Sequence, residues 1–166
     1  MKKWRDIRLL LLLLAALTAG CSGMRSGMGY SYTAEAVPEK TAAGIALDAA
    51  GHLARLYPPG RTTLYLRLPV TSSGEPVQEA FGPLLDKDLR AKGFTLANDR
   101  GQWPELVWVV DSLGRQKTKA KENGQEASGN WYLRLQIADK TGLRTYSRVY
   151  DMNGLAQGSL TLGRRE

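Results

Sequence analysis

Between Asn130 and Tyr150 the chain reads Asn130-Trp131-Tyr132-Leu133-Arg134-Leu135-Gln136-Ile137-Ala138-Asp139-Lys140-Thr141-Gly142-Leu143-Arg144-Thr145-Tyr146-Ser147-Arg148-Val149-Tyr150, two alternating runs joined at a glycine turn. Period-two alternation over this length marks a pair of half-buried strands. Lys140-Thr141-Gly142 fits a three-residue hairpin loop with Gly142 in the left-handed position of a G1 bulge. That loop sets Leu133 opposite Val149, Leu135 opposite Ser147 and Ile137 opposite Thr145 on one face. On the other face it pairs Tyr132 with Tyr150 and Arg134 with Arg148. A one-residue shift would place Leu133 against Arg148 and agrees less well with the pattern.

Moving outward, Leu106-Val107-Trp108-Val109-Val110 is continuously apolar and reads as a strand buried on both faces at the sheet centre. The polar stretch Arg115–Gly129 lies between it and the hairpin, as a long loop or an extended hairpin tip. Upstream, Ile45, Ala49, Leu53 and Leu56 fall on one face of a helix that starts at Glu39 and is stopped by Pro58-Pro59-Gly60. Thr62–Val70 alternates as a strand, with Leu64, Leu66 and Leu68 inward. A second helix is expected from about Glu75 to Lys92, with Val77, Phe81, Leu84, Leu85 and Leu89 on its core face and a kink at Gly82-Pro83. Phe94–Ala97 is a short strand, and Ser159–Leu162 in the glycine-rich tail is long enough for a short edge strand or a docked end. The order predicts a single α+β domain over residues 39–166, with two helices packed on one face of a mainly antiparallel sheet of about five strands. The 63–97 region is expected to be a βαβ crossover, direct or split.

The 166 residues include 23 Lys+Arg and 16 Asp+Glu, a net charge of +7, with one Cys and one His. Those last counts exclude a disulfide framework and a Cys/His zinc site within one chain. Residues 1–20 read as a signal peptide: a basic start, the uncharged run Leu9–Gly20, then Leu17-Thr18-Ala19-Gly20 directly before Cys21. The apolar run is shorter than the ~20 residues a membrane span needs. Cleavage before Cys21 and acylation of its sulfur and amine are the expected outcome, which makes Cys21 a lipid anchor. Loss of Lys2, Lys3, Arg5, Arg8 and Asp6 leaves 19 basic and 15 acidic side chains, a net charge of +4. Direct nucleic-acid binding is therefore not expected. Residues 21–38 read as the anchor and a flexible, Gly/Ser-rich tether.

No catalytic constellation emerges. His52 has no nucleophile elbow to serve, Asp86 and Asp88 do not share a helix face, and no phosphate cradle or Ca²⁺ loop is present. The expectation is a non-enzymatic protein with no cofactor, no metal and no small-molecule substrate. Tyr and Arg on the outward strand positions instead suggest a protein interface, with Tyr65, Arg67, Tyr132, Arg134, Arg148 and Tyr150 as its candidate residues and Tyr146 beside them. Sheet edges offer a second route to partners.

The segment His52-Leu53-Ala54-Arg55-Leu56-Tyr57-Pro58-Pro59-Gly60-Arg61-Thr62-Thr63-Leu64, followed by Glu79–Leu85 and Leu89-Arg90-Ala91-Lys92-Gly93-Phe94, resembles the TrbH family of conjugal transfer lipoproteins over about residues 40–110. The resemblance implies a component of the mating-pair-formation type IV secretion channel, held in the outer membrane through Cys21 and facing the periplasm among other conjugation channel proteins. Ser22 after Cys21, in place of Asp, agrees with outer-membrane sorting. The family offers no catalytic residues to carry over. The alternatives are an assembly lipoprotein of another outer-membrane machine, or a periplasmic binding protein or enzyme.

Overall fold

The apolar run at Leu106–Val110 is the middle of a nine-residue strand, and the sheet is built out on both sides of it. A computed structural model describes residues 29–113 and 129–165. The leader, Cys21 and most of the 115–129 stretch lie outside those residues. In chain order the elements are β1 (Tyr32–Thr33), α1 (Glu39–Leu56), a 3₁₀ turn (Pro59–Arg61), β2 (Thr63–Leu66) and α2 (Phe81–Ala91). They are followed by β3 (Thr95–Ala97), β4 (Glu105–Leu113), β5 (Asn130–Asp139), β6 (Gly142–Tyr150) and β7 (Ala156–Arg165).

The domain is α+β, and its sheet has seven strands, ordered β3-β2-β4-β5-β6-β7 with β1 also on β4. Pairing is mixed, where about five mainly antiparallel strands were expected. β2–β3, β2–β4 and β1–β4 are parallel, and the ladders from β4 to β7 are antiparallel. The β2-α2-β3 segment is a direct βαβ unit whose two strands are neighbours.

One strand eluded the apolar pattern and another was expected only in part. β7 extends the edge strand expected at Ser159–Leu162 in both directions, to Ala156 and Arg165; its Gly158, Ser159 and Gly163 are weak strand formers, and it is held by its ladder to β6. β1 lies within the Gly/Ser-rich stretch read as a tether to residue 38. It is too short to show a period, yet it pairs Tyr32 with Val109 and Thr33 with Val110. The domain therefore begins before residue 39. β1 takes over the β4 edge where β2 leaves it: Arg67 N donates to Leu106 O and Ala34 N to Val110 O. At the break between them, Ser31 Oγ accepts from Trp108 N at 3.4 Å and donates to Arg67 O.

α2 starts at Phe81, not near Glu75. Residues upstream are held by backbone instead, with Val70 bridged to Pro76 and Val77 N donating to Pro69 O, so Val77 stays exposed. Glu79 accepts from the free N–H groups of Phe81 (2.8 Å) and Gly82 (2.6 Å), as a first turn requires. Pro83 follows within that turn, where the missing N–H costs nothing, so it marks a start and not a kink.

Both helices cover one face of the sheet. Ile45, Ala49 and Leu53 of α1 and Phe81, Leu85 and Leu89 of α2 are buried against Leu64, Leu66, Leu106, Trp108, Val110, Leu133, Leu135 and Ile137. Leu56 and Leu68, expected inside, are exposed, because α1 and β2 end at or before them.

Candidate functional site

The β5–β6 hairpin has the register that pattern alone disfavoured. Asp139 pairs with Gly142, leaving a two-residue loop of Lys140 and Thr141, and Leu133 lies opposite Arg148, Leu135 opposite Tyr146 and Trp131 opposite Tyr150. Asp139 Oδ1 fixes the loop by accepting from Thr141 N (2.7 Å) and Thr141 Oγ1 (2.6 Å). The carboxyl of Asp139 is held below its usual range: burial pushes it up, but these hydrogen bonds and Arg144 outweigh burial.

A one-residue slip exchanges faces. Tyr146, Arg148 and Tyr150 consequently point under α1, away from Tyr132 and Arg134, and the expected single Tyr/Arg face is divided in two.

On the helix side the displaced residues form a clamp between layers. Arg148 Nη1 lies 3.1 and 3.2 Å from the two carboxylate oxygens of Asp48 on α1, and Tyr150 donates to Asp48 Oδ2 at 2.8 Å. Arg148 Nη2 also donates to Gly158 O of β7 at 3.4 Å. Long side chains bury their apolar stems and keep the charged head paired, which is how an arginine is tolerated opposite Leu133. The Tyr150 phenol is pushed well above its usual range by burial and by the Asp48 charge, so it stays a donor.

His52, one turn along α1, meets Tyr146 edge to face at 4.8 Å, and burial with nearby Arg55 lowers its pKa. At the end of the helix Tyr57 donates to Asp139 Oδ2 at 3.3 Å, beneath the Arg144 guanidinium 5.6 Å from its ring. At the helix start, Thr41 Oγ1 donates to Met152 O, and Lys40 Nζ to Asn153 Oδ1 at 3.2 Å. α1 is thus tied to the hairpin and its following turn at both ends and in the middle.

Asp48→Ala should remove a shared partner of Arg148 and Tyr150. Orphaning a buried charge costs ~3–5 kcal/mol, and the partial exposure of this pair reduces the expected loss to ~2 kcal/mol. Urea unfolding of Asp48→Ala, Arg148→Met and the double variant checks this. A double variant no worse than Asp48→Ala alone is the expected result, and strictly additive losses would show that the clamp does not act as a unit.

The other sheet face has no helix on it among the described residues. It carries Tyr32, Tyr65, Arg67, Tyr132 and Arg134. Tyr132 donates to Ser147 Oγ at 2.8 Å, and Arg134, beside Val109 and Ser147, is exposed. Arg67 Nε (2.8 Å) and Arg100 Nε (3.0 Å) converge on Glu105, which is only 4% exposed. Sequence reasoning missed this buried carboxylate, which stands directly before the apolar run of β4. A groove of about 720 Å³ opens at the end of the sheet between β2, the end of β3 and α2, lined by Tyr65, Arg67, Leu68, Leu96, Asp86 and Arg90.

Among the described residues, no three His, Cys, Asp or Glu side chains converge on one point, and no helix is long and apolar enough to cross a membrane. Fold and side chains together define a two-layer α+β domain. The part-buried Asp48–Arg148 pair ties the layers together, and the domain's accessible features are an open sheet face, a groove and a strand edge. The family model described as conjugal transfer protein TrbH matches residues 24–166. The chain belongs to that family and is a conjugal transfer component. No match was found among curated proteins or among solved structures.

Proposed function

We propose that the protein is a non-enzymatic outer-membrane lipoprotein that acts as a structural or assembly component of the conjugative type IV secretion channel. The observation that carries the reading is the family match over residues 24–166. The leader and the single cysteine at position 21 support the anchor, since several acyl chains on one residue give stable membrane attachment at ~0.8 kcal/mol per buried CH₂. The domain faces the periplasm and meets other channel proteins. Tyr65, Arg67, Tyr132 and Arg134 form one candidate contact surface on the open sheet face, while Arg148 and Tyr150 act by holding α1 in place.

Cys21→Ser should abolish labelling by radioactive palmitate, release the protein from outer-membrane fractions and lower transfer frequency, because every acyl chain of the anchor is carried on that one residue. Labelled, membrane-bound Cys21→Ser protein would refute the anchor. Unchanged transfer with the whole coding sequence deleted would refute the channel role.

A further inference from the structure

β7 is the last strand of the sheet. Ala156–Arg165 pairs with β6 along one edge, and among the described residues nothing pairs along the other. Exposed edges are normally blunted by a proline, charged side chains, a bulge or a covering segment, because a row of free N–H and C=O groups recruits another strand, and the charge on an edge decides which strands it repels. No residue from 156 to 165 is proline. The single irregularity lies opposite Arg148, between Gln157 and Thr161, and beyond it Thr161–Arg165 runs in unbroken register with Leu143–Ser147. This outer half is open as well: Leu162 is 62% exposed and Arg164 is exposed.

Charge supplies a second, independent observation. Arg144 and Arg164 are direct cross-strand partners, an arrangement of like charges that opposes pairing. Among the described residues neither guanidinium forms an ion pair within 4.0 Å; Arg144 sits over Tyr57 and donates to Thr141 Oγ1 at 3.1 Å. Leu162, opposite Tyr146, lies on the same face as Arg164. A strand laid against this edge would meet Leu162 and then the Arg164 guanidinium on one face, with Thr161 and Gly163 on the other; Arg144, one strand further in, leans toward Tyr57 and Thr141.

We infer that the free edge of β7 receives an extended, acidic segment of another protein as an additional strand. Its apolar side chains lie by Leu162 and its carboxylates by Arg164. Main-chain hydrogen bonds hold the segment, and Arg164 selects its charge. This contact goes beyond the channel reading and needs neither Cys21 nor the open sheet face.

The test uses the full-length chain in detergent and a blocked peptide of about twelve residues repeating Val-Thr-Glu-Thr, with a Val-Thr-Lys-Thr version as control. That repeat puts apolar and acidic side chains alternately on one face of a strand. The acidic peptide should slow amide hydrogen exchange over residues 156–165 and bind at least about tenfold more tightly than its lysine counterpart. Arg164→Glu should reverse that preference, and Leu162→Ser, which removes the apolar contact without adding charge, should weaken both. Unchanged exchange in β7, or equal affinity for the two peptides, overturns the inference. Protection of β7 that grows with protein concentration alone, together with a doubled mass, also overturns it, since a second copy would then occupy the edge.

Discussion

Trp108→Ala is expected to destabilise the domain by ~4 kcal/mol and lower its melting midpoint by about 10–15 °C. Trp108 is fully buried in the central strand, with the Phe81 ring 5.7 Å away at 60°. A Cβ added at Gly82 would stand 2.9 Å from Trp108 Cζ2, so the indole fills the space up to the backbone of α2, and its loss leaves a cavity that a helix start cannot close. The indole Nε1 also donates to Thr33 Oγ1 at 3.2 Å, tying β1 to the core. Trp108→Phe keeps most of the packing and loses that hydrogen bond, for a smaller cost of ~1–2 kcal/mol. Thermal unfolding followed by circular dichroism separates the two. An alanine variant melting within a few degrees of the parent would show that Trp108 does not organise the core.

Gly154→Val should cost ~3 kcal/mol, read as a lower urea midpoint at unchanged slope. Two penalties combine. Gly154 has φ +75°, where a β-branched residue is strained by ~1–3 kcal/mol. Its missing Cβ is also where α1 arrives: a side chain there would lie 2.5 Å from Thr41 O and 2.9 Å from Gly44 Cα. Reciprocally, a Cβ on Gly44 would be 2.8 Å from Gly154 O. The helix and the turn after β6 therefore touch backbone to backbone, which lets Thr41 reach Met152 O and Lys40 reach Asn153. Gly44→Ala shares the collision without the φ penalty and should fall between Gly154→Val and the parent. A Gly154→Val variant as stable as the parent would separate the turn from the helix.

Elements that bury a periodic apolar face were legible from residues alone. α1 was placed to within a residue at each end by Ile45, Ala49 and Leu53 and by the Pro58-Pro59 stop, and the core of β4 by its five-residue apolar run. The strand pairing partly escaped, because hairpin register rests on two competing terms. Counting arginine as an outward residue favours Leu133 opposite Val149. The Asp139–Thr141 loop and the Arg148–Asp48 pair favour the other register, and Asp48 is 100 residues away in sequence. No local pattern reports a partner at that distance. The same limit hid the full candidate surface: Tyr65, Arg67, Tyr132 and Arg134 share the open face, whereas Arg148 and Tyr150 were assigned to it through the shifted register. β1, and the ends of β7 beyond Ser159–Leu162, escaped because they are held by main-chain ladders that side-chain chemistry does not encode.

The two-residue β1 ladder gives the domain a mechanical character. Tension entering from the N-terminal side reaches the sheet first through Tyr32 and Thr33, and crosses to β7 through β4, β5 and β6, whose ladders are each several residues longer. Load in series yields at its shortest link, which here is the β1–β4 junction. Peeling Tyr32 and Thr33 from β4 would free residues 29–36, roughly 25 Å of contour at ~3.3 Å per residue, while Val37 and α1 keep their places in the core. Under such a pull the first strand would give first, lengthening the connection before the folded layers bear the strain.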